Sequence, residues 1–229
     1  MLSGATASGE MRERINMRAG ALALELFKEN DNHPGAAHYV IHAFDDPIHA
    51  PIALEAAQKY ATIAPAVSHA RHMPTHIFIQ HGMWEEVAQW NDSAYLVADE
   101  QWKPGDYTDP QDHASDWGQY GDLQLGNTAR SLEWIARAEH TLRNSPDSDR
   151  AAGTLDTMRA RHIIETREWQ VQPLIDERSG PQLLALGLSA ASDKVNDLEL
   201  TRQVAARLKE QSENSPNNTP LFVSYAEVA

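Results

Sequence analysis

The sequence predicts an all-α protein on three observations. Ala, Leu, Glu, Gln and Arg dominate the stretches between turn signals, and these residues lose little conformational freedom in a helix. Few stretches alternate apolar and polar residues with the period of two that a half-buried strand requires. The strong breaks, among them Asp46-Pro47, Gly82 and Asn144 to Asp147, leave segments of helical length between them. Helices are expected over about 9–30, 34–44, 49–63, 67–81, 83–100, 112–125, 128–143, 149–168, 171–186 and 193–212. Asn32 can cap the second, which Pro34 opens; Pro74 should kink the fourth, because it lacks the amide donor and crowds the preceding turn. Lys103 to Gln111, with Pro104-Gly105 and Asp109-Pro110, reads as a long loop. Residues 213–229 read as a C-terminal tail, broken at Pro216-Asn217-Asn218, whose apolar Leu221-Phe222-Val223 should dock on a neighbouring helix. Connections this short require helices to pack as antiparallel neighbours.

Composition narrows the function. The 229 residues include 19 basic and 33 acidic ones, a formal charge of -14, so nucleic acid is excluded as the main partner: the net field repels phosphate. There is no cysteine, which removes disulfides, thiolate metal sites and thiol nucleophiles. No apolar run approaches the 18 residues of a membrane span, and Met1 to Arg18 carries glutamates and arginines where an export signal has its apolar stretch. Phosphate-loop, dinucleotide and nucleophile-elbow motifs are missing. Eight of the eleven histidines lie between residues 33 and 81.

Those histidines repeat. His38 and His72 are 34 residues apart, as are His42 and His76, so two His-x-x-x-His pairs occupy equivalent places in successive units. Each pair spans four residues, which puts both side chains on one helix face. Gly82-Met-Trp84-Glu-Glu-Val87, followed by Trp90, Ala94 and Val97, resembles the second helix of a tetratricopeptide repeat, whose period is also 34 residues. Weaker copies run through Gly126, Ala129, Ile135 and Ala138, and again at Trp169. The resemblance implies a tetratricopeptide-like right-handed α-solenoid of antiparallel helix pairs, a single repeat domain over 1–212 with its best repeats at 33–100 and weaker ones at 112–170. In that frame His38 and His42, then His69, His72 and His76, then His113, Asp116 and Tyr120 fall at the positions that line the concave groove.

Imidazoles on neighbouring helices about 8–10 Å apart can converge on one ion. His38, His42, His72 and His76 are the central candidate ligands, with His69, His113 or Asp116 as replacements or supporting groups and Tyr120 in the groove. Imidazole without thiolate suits zinc, copper, iron or nickel without choosing among them; Met73 and Met83 lean towards copper. The same face reads alternatively as a metal-free groove for a peptide or protein partner, with histidines that titrate near neutrality. A third reading is a metal-dependent hydrolase or oxidase, with a carboxylate from Asp45, Asp46, Asp116, Glu85 or Glu86 beside a metal-bound water. The zinc-protease motif is not met, since Tyr39 and Met73 stand where its glutamate belongs. Asp45-Asp46 also reads simply as a helix end before Pro47, and Glu85-Glu86 as an acidic first turn favoured by the helix dipole. The tryptophans, Trp117 included, read as packing.

The stretches His33-Pro-Gly-Ala-Ala-His38-Tyr-Val-Ile-His42-Ala with Asp45-Asp46-Pro47, and His69-Ala-Arg-His72-Met-Pro-Thr-His76-Ile-Phe78, resemble paired signatures of a bacterial tetratricopeptide-like family without a settled activity. That resemblance implies the fold and a shared histidine face, and names no reaction. It also implies that residues 2–30 correspond to an interior stretch of longer, exported relatives, of which this chain would be a fragment.

Overall fold

The computed structural model describes residues 10–215 and 218–229, and side chains outside 10–12, 221 and 222. Every regular element among the described residues is helical, and no helix there is long and apolar enough to cross a membrane. Among the described residues, those from 10 to 126 form one compact unit and those from 127 onwards a second.

The first unit contains α1 (Glu10–Glu29), α2 (Pro34–Ala43), α3 (Ala50–Ile63), α4 (Ser68–His72), α5 (Thr75–Gln80), α6 (Trp84–Gln101) and α7 (Asp109–Gln124). Its core joins Phe27, Val40, Ile41, Phe44, Met73, Ile77, Phe78 and Val87 to a run of buried alanines that let α2 and α3 approach closely. The cap of α2 is His33, whose Nδ1 accepts from the Ala36 amide at 3.1 Å, and not Asn32, whose own amide is turned to Asn30 Oδ1. Pro74 does more than kink the expected 67–81 helix: it divides it into α4 and α5. The Met73 amide still bonds back to His69, but the His76 amide reaches only Met73, three residues away, and Thr75 Oγ1 donates to the His72 carbonyl at 2.7 Å. Helix α7 starts at Asp109, because Pro110 suits a first helical turn, so the preceding loop is shorter than expected.

Gly82 sits at φ +66 between α5 and α6, a conformation that costs glycine little. Gly121 serves a different end. A Cβ there would lie 2.9 Å from the Ala88 backbone nitrogen and 3.0 Å from Val87 Cγ1, so its hydrogen lets α7 press onto the first turns of α6.

The second unit contains α8 (Thr128–Asn144), α9 (Asp149–Thr166), α10 (Gly180–Ala191), α11 (Leu198–Asn214) and α12 (Thr219–Val228). The helix expected over 171–186 instead starts at Gly180: Arg167 ends α9 at φ +56, and Pro181 with Gln182, whose Oε1 accepts from the Ser179 amide at 3.3 Å, opens α10. Asp197 caps α11 through the Leu200 amide, which moves its start from 193 to 198. Val228 of α12 is buried with Leu183, Leu186, Val204 and Leu208 and is therefore the residue that docks. Val223 is exposed, and the Leu221 and Phe222 side chains, like residues 216 and 217, lie outside the described residues.

Candidate metal centre

Six histidines of the first unit gather into two triads, and in each the ligand atoms lie within 4.8 Å of one another. His38 and His42 of α2 meet His69 of α4; His72, which ends α4, and His76 of α5 meet His113 of α7. The four central residues of the sequence pattern thus divide two and two, and each pair is completed by one of the supporting histidines. Asp116 is half-buried on α7 and belongs to neither triad, and the Tyr120 ring lies edge-on to Trp84 at 5.6 Å.

The inner triad is built around the break at Pro74. His72 is 3% exposed, and its ring centroid lies 4.3 Å from that of His113 and 5.0 Å from that of His76. Asn91 Nδ2 donates to the Val87 carbonyl at 2.8 Å, which fixes the amide's orientation and presents Oδ1 to His72 Nδ1 at 2.7 Å. An amide oxygen only accepts, so Nδ1 of His72 carries the proton and Nε2 is a bare lone pair. His76 Nδ1 lies 2.8 Å from Asp45 Oδ2, so its Nδ1 proton goes to the carboxylate. In the neutral ring Nε2 is again bare. The two Nε2 atoms face each other at 3.1 Å. Trp117, one turn after His113, walls the group with its ring 4.5 Å from His76 and 5.2 Å from His72.

The outer triad is more open, with His42 and His69 exposed and His38 half-buried. His38 stacks on Tyr60 at 5.8 Å, lies 4.5 Å from the His42 ring, and brings its Nε2 to 3.2 Å from His69 Nε2. A cavity of about 420 Å³ borders it, lined by Glu13, His42, Asp45, Asp46 and His49 among others.

Four of the rings, His38, His42, His69 and His72, are shifted towards the neutral form. Burial, followed by the neighbouring imidazoles of His42, His69 and His76, pushes His38 down to about 4. Burial also leads the lowering of His72 to well below its ordinary value, helped by His113 and His76 and opposed by the Asn91 bond. His42 and His69 move the same way, from burial and then His76, against Asp45 and Asp109 respectively. Neutral imidazole is the form that ligates metals.

The adjacent carboxylates separate in role. Asp46 accepts from the Ile48 and His49 amides and the His49 ring, and these bonds outweigh burial to hold it below the usual carboxylate range. Asp46 is thus the turn residue that the helix-end reading expects, whereas Asp45 turns to His76. Met73 is fully buried in the core and Met83 packs against it, so both thioethers are engaged in packing. Nothing in the sequence marks Asp45 or Asn91 as an orienting group, and Trp117 reads there as packing. Only Trp117 has a sequence cue, its place four residues after His113 on one helix face. No family model, curated protein or solved structure matches the chain.

Proposed function

We propose that the protein binds a divalent transition metal through this histidine face. The observation that carries the reading is the His72–His76 contact: Nδ1 of each ring is held, by Asn91 and Asp45 respectively, and the two Nε2 atoms meet at 3.1 Å. A metal ion between these atoms accepts a lone pair from each ring. With metal–nitrogen bonds of about 2.0–2.1 Å, ligands at angles of roughly 90–110° stand about 2.9–3.4 Å apart, a range that includes the observed spacing. A carboxylate behind the imidazole is also the usual support of a metal-bound histidine. The net charge of -14 favours a cation as cargo. Zinc, copper, iron and nickel all accept such donors.

On this reading the helix pairs of the first unit are repeats of the tetratricopeptide-like α-solenoid and the histidines line its concave face. The left-handed glycines Gly82 and Gly126, at the ends of α5 and α7, support that assignment.

Elemental analysis of the chain purified without a nickel column tests the function. Near-stoichiometric metal is expected, and replacing His38 and His72 together with alanine should remove it. A metal-free chain that takes up none of zinc, copper, nickel or iron would end the reading.

A further inference from the structure

We infer that the two triads are two separate metal sites of unequal affinity: a tight, enclosed one at His72, His76 and His113, and a weaker, exchangeable one at His38, His42 and His69. The inference rests on the metal-binding reading above and adds the number of ions and their division.

Each triad closes on itself, with three imidazoles whose ligand atoms lie within 4.8 Å of one another, and three nitrogen ligands are enough for a transition-metal site that keeps positions for water. Their surroundings differ in the features that set affinity. The inner triad has buried His72, two ring orientations fixed by Asn91 and Asp45, and a tryptophan wall, so little ordering remains to be done when an ion arrives. The outer triad has two exposed rings, and its closest nitrogen pair, His38 Nε2 and His69 Nε2, stands at 3.2 Å. Three rings drawn together must be fixed by the ion itself.

The cavity links the two. His42, a member of the outer triad, and Asp45, which holds His76 of the inner one, line the same 420 Å³ space, together with Glu13 and Asp46. A hydrated cation is drawn to such an acidic space and meets His42 there. The outer site is therefore placed for entry and exchange, the inner site for retention. Orienting partners of metal-bound histidines are worth about 10- to 100-fold in affinity, which sets the expected gap between the sites.

Calorimetric titration of the metal-stripped chain with zinc is the test, with circular dichroism to establish that each variant folds. The unaltered chain should take two zinc ions in two resolved events, differing at least about tenfold in Kd. His113→Ala should abolish the tight event and keep the weak one; His69→Ala, at an exposed position, should do the reverse, and His69→Gln guards against a packing effect. One zinc per chain, lost in both variants, would overturn the division while leaving metal binding intact. Absence of any zinc uptake would overturn both. If His113→Ala does not fold, His76→Gln replaces it and must leave a single weak event.

Discussion

His72 in the first unit and His162 in the second are both nearly inaccessible, at 3% and 5% exposure, yet their nitrogens have different company. His162 Nδ1 stands 2.9 Å from Ser131 Oγ, and its Nε2 lies 3.6 Å from a Glu168 carboxylate oxygen. A hydroxyl can donate to Nδ1 while the carboxylate faces a protonated Nε2, so one neutral tautomer of His162 suits both of its neighbours. His72 has one nitrogen satisfied by Asn91 and the other aimed at the Nε2 of a second imidazole. Burial alone therefore does not mark a ligand; what marks it is a buried nitrogen that converges with other imidazole nitrogens at a spacing a metal ion can span. On the wall of the cavity of about 370 Å³ beside His162 the polar groups are likewise engaged, Gln182 with Asp156 and Arg159 with Glu139.

Removing His76 or His162 separates a ligand from a packing residue. His76→Ala should eliminate the tight zinc event in calorimetry, whereas His162→Ala should leave zinc stoichiometry unchanged and lower unfolding free energy by about 2 kcal/mol through a cavity and a lost hydrogen bond. Loss of zinc from His162→Ala would remove the distinction. Asp45→Asn keeps the shape of the side chain but removes its charge, and should weaken the inner site about 10- to 100-fold with little change in the circular dichroism spectrum. An unchanged Kd would mean that Asp45 serves the turn alone.

Gly121→Ala probes packing without touching a ligand. The added methyl meets the Ala88 backbone nitrogen at 2.9 Å, and backbone yields poorly. Overpacking of about 1–3 kcal/mol is expected in chemical unfolding, together with weaker zinc binding as α7 carries His113 and Trp117 away from His72. Full retention of both would show that α7 is free to shift.

The smallest effect concerns acid. His38, His42, His69 and His72 hold protons less well when folded than when unfolded, so the unfolded chain binds more protons once the pH falls below about 6.5. Stability should be flat above that value and should decline as the pH drops towards 4, where His38 begins to charge. Urea midpoints measured at several pH values in metal-free buffer read this directly. A midpoint that rises on acidification from 6.5 to 5 would contradict the neutral histidine face, and saturating zinc should steepen the decline because protons compete for its ligands.

Much of this was legible in the sequence, and particular residues show where legibility stopped. The helix-forming composition and the punctuation carry the all-helical architecture, and the 34-residue spacing picks out His38, His42, His72 and His76, while His69 and His113 enter as supporting candidates through the repeat register. Proline placed the break between His72 and His76. Missed were the irregular stretch before α10, where Arg167 adopts an unexpected left-handed conformation, and the capping of α2 by His33. The orienting residues were missed for another reason. Asp45 lies 31 positions from His76 and Asn91 lies 19 from His72, distances that no helical period relates.

Which side chains share a helix face follows from four-residue spacing and repeat period, both of which are properties of the chain. How two such faces meet does not follow from them. The packing of α2, α4, α5, α6 and α7 sets that His72 and His76 pair with His113 while His38 and His42 pair with His69, and that Asp45 and Asn91 hold Nδ1 of His76 and His72. A tautomer is set by whatever lies within about 3 Å of a ring nitrogen, and that neighbour is chosen by tertiary packing.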